Sequence, residues 1–217
     1  MSVQVKICGI TTPEMVQAVA QSGASHIGLM FYPPSPRNLP MGAASDLASQ
    51  IPAGLQRVGV FVDPTDDLLE LAIATTQLDM VQLHGNESPL RVAEVKDMFG
   101  LPVMKAFPVR DRADVQKSEG YEGVADLLLF DAKPPKNSAT NLPGGTGHTF
   151  DWTLLKDRQG TTPWALSGGL NPDNVVAAIR ETGAGFVDVS SGVEDAPGVK
   201  NMEKIAAFMA AIREHFG

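Results

Sequence analysis

The sequence predicts an α/β protein, a single (β/α)8 TIM barrel that takes up residues 1–217 as one domain. Short apolar runs rich in β-branched residues alternate with amphipathic or alanine-rich stretches, which is typical of a parallel sheet covered by helices. About eight such pairs occur, and that number favours a closed barrel over an open sheet. No linker or change of composition interrupts the alternation, so one domain is the simplest organisation.

Eight strands are predicted from the apolar runs. In chain order they are Val3–Cys8, His26–Phe31, Gln56–Val62, Met80–His84, Val103–Phe107, Leu127–Asp131, Pro163–Ser167 and Gly185–Val189. The first, fourth and eighth alternate apolar and polar residues, whereas the sixth is apolar on both faces. The all-apolar face of a barrel strand suits the surrounding helices, so we expect the polar residues of the alternating strands to point inward.

Eight helices are predicted beside these strands. In chain order they are Pro13–Gln21, Gly42–Gln50, Thr65–Thr75, Ser88–Phe99, Arg112–Ser118, Asp151–Leu155, Pro172–Glu181 and Met202–Glu214. Capping oxygens beside a proline mark three starts, at Thr12-Pro13, Asp63-Pro64-Thr65 and Asn171-Pro172. Two loops that follow strands, 32–39 and 132–149, are unusually long. Both are expected at the carboxyl-terminal rim of the barrel, where barrel enzymes build their active sites.

The composition is that of an ordinary globular protein, with 43% hydrophobic and 19% charged residues. The single cysteine excludes an internal disulfide and fits a reducing cytoplasm. No secretory leader or apolar run of about 18 residues is present, so we expect a cytoplasmic protein without a membrane partner. The formal net charge of −8, with basic residues scattered, argues against nucleic acid as a partner. An anionic ligand would be held by helix N-termini, backbone amides or single arginines.

A thiol and a carboxylate stand at the ends of two predicted strands. Strand parity points Cys8 toward the barrel mouth, together with His84 on the fourth strand and Asp188 on the eighth. Asp131 ends the sixth strand, where parity cannot orient it. Cys8 and Asp131 are candidates for a base and an acid across one barrel mouth. The alternatives are a buried cysteine that only packs and an aspartate that only caps a loop.

Two glycine- and serine-rich loops follow the seventh and eighth strands. The first contains Ser167, Gly168 and Gly169 before a predicted helix. The second contains Ser190, Ser191 and Gly192 before a segment that could form one short helical turn. Such a pair of loops exposes backbone N–H groups and predicts a phosphate site, although each glycine alone is equally explained by a tight turn.

The remaining polar candidates are less specific. Arg37 is a candidate for a bidentate pair with a substrate carboxylate, or a surface arginine. His84 is either a pocket residue or a satisfied histidine at a strand end, and His148 is undecided. His26 and His215 are assigned to structure. No His, Cys, Asp or Glu grouping has metal-ligand spacing, and no dinucleotide or Walker motif occurs, so neither a metal nor a cofactor is predicted.

Two charged residues are expected to meet inside the barrel. Parity directs Lys6 and Asp188 inward from the first and eighth strands, and Lys105 on the fifth strand is a further candidate for the interior. A buried ion is costly unless it is paired. We therefore predict a Lys6–Asp188 ion pair that closes the barrel.

Several segments resemble the phosphoribosylanthranilate isomerase family of tryptophan biosynthesis. They are KICGIT (6–11), GLMFYPPSPRNL (28–39), VGVFVD (58–63), VQLHGNE (81–87), LLLFDAK (127–133), GGTGHTFDW (144–152), LSGGLNPDNV (166–175) and DVSSGVEDAPGVK (188–200). The resemblance covers nearly the whole chain in the same order. It implies a (β/α)8 barrel that converts N-(5-phosphoribosyl)anthranilate to 1-(2-carboxyphenylamino)-1-deoxyribulose 5-phosphate by an Amadori rearrangement.

The resemblance also implies residue roles. Cys8 takes the position of the general base, Asp131 that of the general acid, and Arg37 that of the group holding the anthranilate carboxylate. The expected partner is thus a small phosphorylated substrate, without a cofactor, and a pH–rate profile should show two ionisations between about 5 and 9. Whether the chain is a monomer or a homodimer is left open by the sequence.

Two other functions compete with this one. The histidine-pathway sugar isomerase performs the same rearrangement on a related barrel, but with aspartates in both catalytic roles. Cys8 at the end of the first strand argues against that enzyme. A catalytically silent sensor of phosphorylated ligands could use the same rim.

Overall fold

The computed structural model describes residues 3–133, 144–145, 147–156 and 158–217. Eight parallel strands form a closed barrel in which each strand pairs with the next and the first pairs with the eighth. The strands are β1 Gln4–Cys8, β2 His26–Met30, β3 Gln56–Phe61, β4 Met80–Leu83, β5 Val103–Val109, β6 Leu127–Ala132, β7 Trp164–Leu166 and β8 Phe186–Val189. The predicted fold class is confirmed. Most of the predicted long loop at 132–149 lies outside the described residues.

Helices connect the strands and cover the barrel. The α-helices are α1 Pro13–Ser22, α2 Met41–Ala48, α3 Asp66–Thr76, α4 Pro89–Phe99, α5 Arg112–Gln116, α6 Val175–Thr182 and α7 Met202–Phe216. Short 3-10 helices occupy Lys117–Tyr121, Trp152–Leu155 and Ser191–Val193, and β9 Glu194–Ala196 pairs with β10 Val199–Lys200 in a hairpin that sequence reasoning missed. Among the described helices, none is long and apolar enough to span a membrane.

Two of the three predicted helix caps form as expected. Thr12 accepts a hydrogen bond from the backbone N–H of Met15, and Thr65 accepts one from Leu68. The predicted start of the third helix is wrong, because α6 begins at Val175 rather than at Pro172. Asn171 Oδ1 nevertheless accepts hydrogen bonds from the backbone N–H groups of Asp173 and Asn174, at 2.9 and 3.2 Å, in the turn ahead of the helix.

Strand parity separates an inner from an outer core. Val5 and Ile7 of β1 pack on the helix side, which leaves Lys6 facing the interior. The inner cluster comprises Met104, Ala106, Leu127, Leu129, Ala165 and Phe186. Leu127 and Leu129 therefore place Asp131, two residues further along β6, on the inward face. The structure thus supplies the orientation of Asp131 that the uniformly apolar strand could not.

The predicted ion pair across the seam between β1 and β8 is confirmed. Lys6 lies opposite Asp188 in the strand register, and its Nζ is 2.7 Å from Asp188 Oδ1. Burial alone would lower the pKa of Lys6, but the attraction of Asp188 outweighs it and the pKa is raised. Ser167 Oγ donates to the other carboxylate oxygen at 3.3 Å.

The prediction for Lys105 is wrong. Met104 and Ala106 occupy the inward positions of β5, so that Lys105 points to the helix side. There its Nζ lies 2.8 Å from Glu87 Oε2 and donates to the carbonyl oxygen of Gly85 at 2.8 Å. The residues of β5 do not alternate by polarity, which is why parity misled the prediction.

Replacing Lys6 by methionine should destabilise the fold by about 3–5 kcal/mol, because it leaves Asp188 as an unpaired buried charge. The free energy of unfolding in urea measures the loss. The double variant Lys6→Met/Asp188→Leu removes both charges and should recover most of the stability. A single variant as stable as the parent chain would contradict the importance of the pair.

Candidate active site

A cleft opens at the carboxyl-terminal end of the barrel strands. The cleft and its open mouth together span about 710 Å³ of space, which includes solvent. The predicted site residues that border it share a position at strand ends or in the loops that follow. They are Cys8, Arg37, His84, Asp131, Gly168, Gly169, Asp188, Ser190 and Ser191. The structure therefore brings together all but one of the residues selected from the sequence.

Cys8 is the last residue of β1 and its side chain is buried. The neighbouring strand makes room for the thiol with Gly28, where an added Cβ would lie 2.7 Å from Sγ. Burial raises the pKa of Cys8, and the nearby charge of Lys6 offsets this only in part. The unliganded protein therefore holds a protonated thiol at neutral pH, and Lys6 alone does not make it a thiolate.

Asp131 faces the cleft beside His84. Its Oδ1 accepts from the backbone N–H of Ala132 at 2.9 Å, and its Oδ2 lies 3.4 Å from His84 Nε2. On the other side of the imidazole, Gln82 Nε2 is 2.9 Å from His84 Nδ1. An amide nitrogen only donates, so this assignment makes Nδ1 the acceptor and puts the proton on Nε2, toward Asp131. Gln82, which the sequence analysis did not select, thereby orients His84.

Arg37 is buried rather than on the surface. Its Nε donates to Glu194 Oε1 at 2.8 Å and its Nη2 donates to Oε2 at 2.7 Å. Nη2 also donates to the carbonyl oxygen of Gly145 at 3.2 Å. Nε and Nη2 thus form a bidentate pair with Glu194, so this pair is not available for a substrate carboxylate. Among the described residues, Nη1 has no such partner and is the nitrogen that can face a ligand.

The loops after β7 and β8 form one wall of the cleft. Gly168 and Gly169 adopt φ values of 88° and 62°, in the left-handed region that favours glycine. Ser191 begins the 3-10 helix that was expected as one short turn. Gly192 does not border the cleft. It packs against the carbonyl oxygen of Leu170, where a Cβ would not fit.

The other three histidines lie inside the barrel, on α7 and at the border of the cleft. His26 lies inside the barrel against Phe186, with ring centroids 4.7 Å apart, and burial together with Lys6 lowers its pKa to about 4. It is therefore neutral and structural, as expected. His215 is exposed on α7, and His148 borders the cleft beside Gly169. Within the described residues, no group of three His, Cys, Asp or Glu side chains is placed to hold a metal ion.

Two charged residues behind the cleft escaped the sequence analysis. Glu194 and Lys200 are buried in the hairpin of β9 and β10, far from Arg37 along the chain. Their sequence context, VEDAPGVK, looks like an exposed charged loop. They are buried because the hairpin packs against the loop between β2 and α2, where Arg37 lies. The local sequence pattern does not reveal this contact.

Comparisons with known proteins agree on one family. The model of the family described as N-(5′-phosphoribosyl)anthranilate isomerase matches residues 5–211. A protein of that name from Paramagnetospirillum magneticum is 49% identical over 213 residues, covering 98% of each chain. Another from Paracoccus denitrificans is 52% identical over 210 residues, covering 97% of each chain.

Solved structures give the same result. The phosphoribosylanthranilate isomerase of Thermotoga maritima superposes with a TM-score of 0.87 at 36% identity, covering 98% of this chain and 99% of that one. A structure of such an isomerase in complex with reduced 1-(o-carboxyphenylamino)-1-deoxyribulose 5-phosphate has a TM-score of 0.84 at 33% identity, with the same coverage.

Proposed function

Because the chain belongs to the N-(5′-phosphoribosyl)anthranilate isomerase family, we propose that its cleft carries out the Amadori rearrangement of this tryptophan-pathway isomerase with Cys8 as base and Asp131 as acid. The substrate is N-(5-phosphoribosyl)anthranilate and the product is 1-(2-carboxyphenylamino)-1-deoxyribulose 5-phosphate. The observation that carries the assignment of roles is that a buried thiol and an inward carboxyl group, from β1 and β6, border one cleft.

The two groups act on successive steps. Asp131, protonated in the complex, gives its proton to the ribose ring oxygen as the C1′–O bond breaks and the amine nitrogen forms a Schiff base. Cys8, as a thiolate, then removes the proton from C2′, and the electrons of that bond give an enolamine that tautomerises to the ketone. C1′ is reduced and C2′ is oxidised, so the reaction needs no external oxidant or reductant.

The remaining cleft residues supply binding. Backbone N–H groups around Gly168, Gly169, Ser190 and Ser191 suit the phosphate, and Gly192 supports them by letting the two loops approach. Nη1 of Arg37 suits the anthranilate carboxylate. His84 and Asp188 border the cleft as further substrate contacts, while they also contact Asp131 and Lys6.

A fluorescence assay tests this function directly. Purified protein should consume fluorescent phosphoribosylanthranilate, and the Cys8→Ala variant should not. Binding of the phosphorylated ligand without turnover by the unmodified chain would instead indicate a sensor. Turnover of the histidine-pathway substrate in place of this one would identify the competing isomerase.

The reactivity of the Cys8 thiol should increase with pH. The free enzyme holds a protonated thiol because burial raises the pKa of Cys8, so the reactive thiolate is a minor species at neutral pH. Its fraction grows about tenfold per pH unit below that pKa, and we expect the logarithm of the rate of Cys8 alkylation to rise with a slope of about one between roughly pH 6 and 9.

Rates of alkylation by iodoacetamide across this range measure the titration of Cys8 by itself. The ionisation of Cys8 then lies at the alkaline end of the window expected from the sequence, or beyond it. An alkylation rate that is level above pH 7 would contradict a thiol with a raised pKa.

A further inference from the structure

A buried carboxylate lies between two buried cations behind the cleft. Glu194 accepts two hydrogen bonds from Arg37, at 2.8 and 2.7 Å, and a further short contact from Lys200 Nζ. The three side chains are each less than 5% exposed. Although burial opposes its ionisation, the hydrogen bonds and charge of both cations keep the pKa of Glu194 below its ordinary value. The carboxylate therefore stays charged and holds the fork of Arg37 in one orientation.

Only one of these three residues lies where it can contact a ligand in the cleft. Arg37 borders the cleft, whereas Glu194 and Lys200 do not. Glu194 and Lys200 are paired across the β9–β10 hairpin, so the backbone fixes one relative to the other. Glu194 can therefore affect a ligand in the cleft only indirectly, and Arg37 is the lining residue that it contacts directly.

Lys200 ties this hairpin to the catalytic end of the barrel. Its Nζ donates to the carbonyl oxygen and to the hydroxyl oxygen of Ser190, each at 3.2 Å. The hydroxyl of Ser190 donates in turn to the carbonyl oxygen of Cys8 at 3.1 Å. The hairpin is thus anchored to the residue that follows β8 and, through it, to the end of β1.

We propose that Glu194 is a positioning residue that orients Nη1 of Arg37 toward the carboxylate of the aromatic substrate. Lys200 fixes the position of Glu194 by pairing with its carboxylate. Since this rests on the proposed function, Arg37 is taken as the group that contacts the carboxylate. An arginine whose fork is already held loses less side-chain entropy on binding, so the pair raises affinity for the carboxylate without touching it.

The test compares two ligands that differ only in that carboxylate. They are reduced 1-(o-carboxyphenylamino)-1-deoxyribulose 5-phosphate and its analogue that lacks the carboxyl group. Glu194→Gln keeps the size of the side chain but removes its charge. We expect it to weaken the carboxylated ligand about tenfold and the analogue less than about twofold, with a raised KM and a smaller change in kcat.

A double-variant cycle shows whether Glu194 acts through Arg37. In the Arg37→Ala background, Glu194→Gln should cause no further loss of affinity for the carboxylated ligand. Equal weakening of both ligands by Glu194→Gln, or losses that multiply in the double variant, would overturn the proposal.

Two controls keep the outcomes distinct. If Glu194→Gln does not fold, as judged by thermal unfolding, Lys200→Gln is used instead. It leaves the Arg37–Glu194 pair but also removes the contacts of Lys200 with Ser190, whose effect on the phosphate is common to both ligands. It should weaken the carboxylated ligand about threefold more than the analogue, and equal effects on both ligands would again overturn the proposal. If Arg37→Ala itself does not discriminate between the ligands, the carboxylate role of Arg37 in the proposed function fails, separately from the role of Glu194.

Discussion

Replacing Cys8 by alanine is expected to lower kcat by about 10²–10⁴-fold, the usual contribution of a positioned base. The thiol lies at the end of β1 on the inward face. No other thiol can take its place, because Cys8 is the single cysteine of the sequence. The affinity for the reduced product analogue should change less than about threefold, since the phosphate and carboxylate contacts remain. Single-turnover rates and ligand titration measure the two quantities separately.

Cys8→Ser is the matched control for volume. A hydroxyl replaces the thiol with little change in size, but its far higher pKa removes the thiolate, so the loss of kcat should be similar to that of the alanine variant. Both variants should unfold near the parent temperature. A serine variant with near-parental kcat would show that Cys8 contributes packing rather than chemistry, the alternative that the sequence alone left open.

The Asp131→Asn variant should lose activity by a similar factor of about 10²–10⁴. Asparagine keeps the shape of the side chain, and its amide oxygen can still accept from the N–H of Ala132. It cannot deliver a proton to the ring oxygen, so ring opening should become limiting. Measured kcat with unchanged thermal stability would confirm the loss as chemical.

Asp195→Asn provides the control for a change from aspartate to asparagine. Asp195 is exposed and contacts Lys204 at the surface, away from the cleft. Its variant should retain kcat within about twofold, because exposed ion pairs contribute little. An Asp131→Asn enzyme as active as this control would remove Asp131 from the acid role.

The sequence predicted many of the polar residues that line the cleft because barrel topology turns strand ends into neighbours. Cys8, Asp131 and the two glycine loops are distant in the chain but lie at one rim once eight parallel strands close. Alternation of polarity was sufficient to orient Lys6 and Asp188. It gave no answer for Asp131 on an all-apolar strand and a wrong one for Lys105, because the helix side of that strand buries a charge satisfied by Glu87.

What the sequence could not supply were contacts formed by returning loops. Glu194 meets Arg37 across 157 residues of chain, and no local pattern signals such a pairing. The amide of Gln82 was hidden for another reason. Its inward position was predicted by parity, but its role depends on the 2.9 Å contact with His84, which only side-chain geometry reveals.

The ion pair between Lys6 and Asp188 also constrains how the chain can assemble during synthesis. Its two members are 182 residues apart, so the lysine of the amino-terminal strand cannot be buried with its partner until β8 has been synthesised. Because Ser190 also supports the backbone of Cys8, the same late strand completes the end of β1. A nascent chain that stops before β8 would thus have neither a closed sheet nor a supported end of β1, which makes assembly of this barrel depend on its last strand.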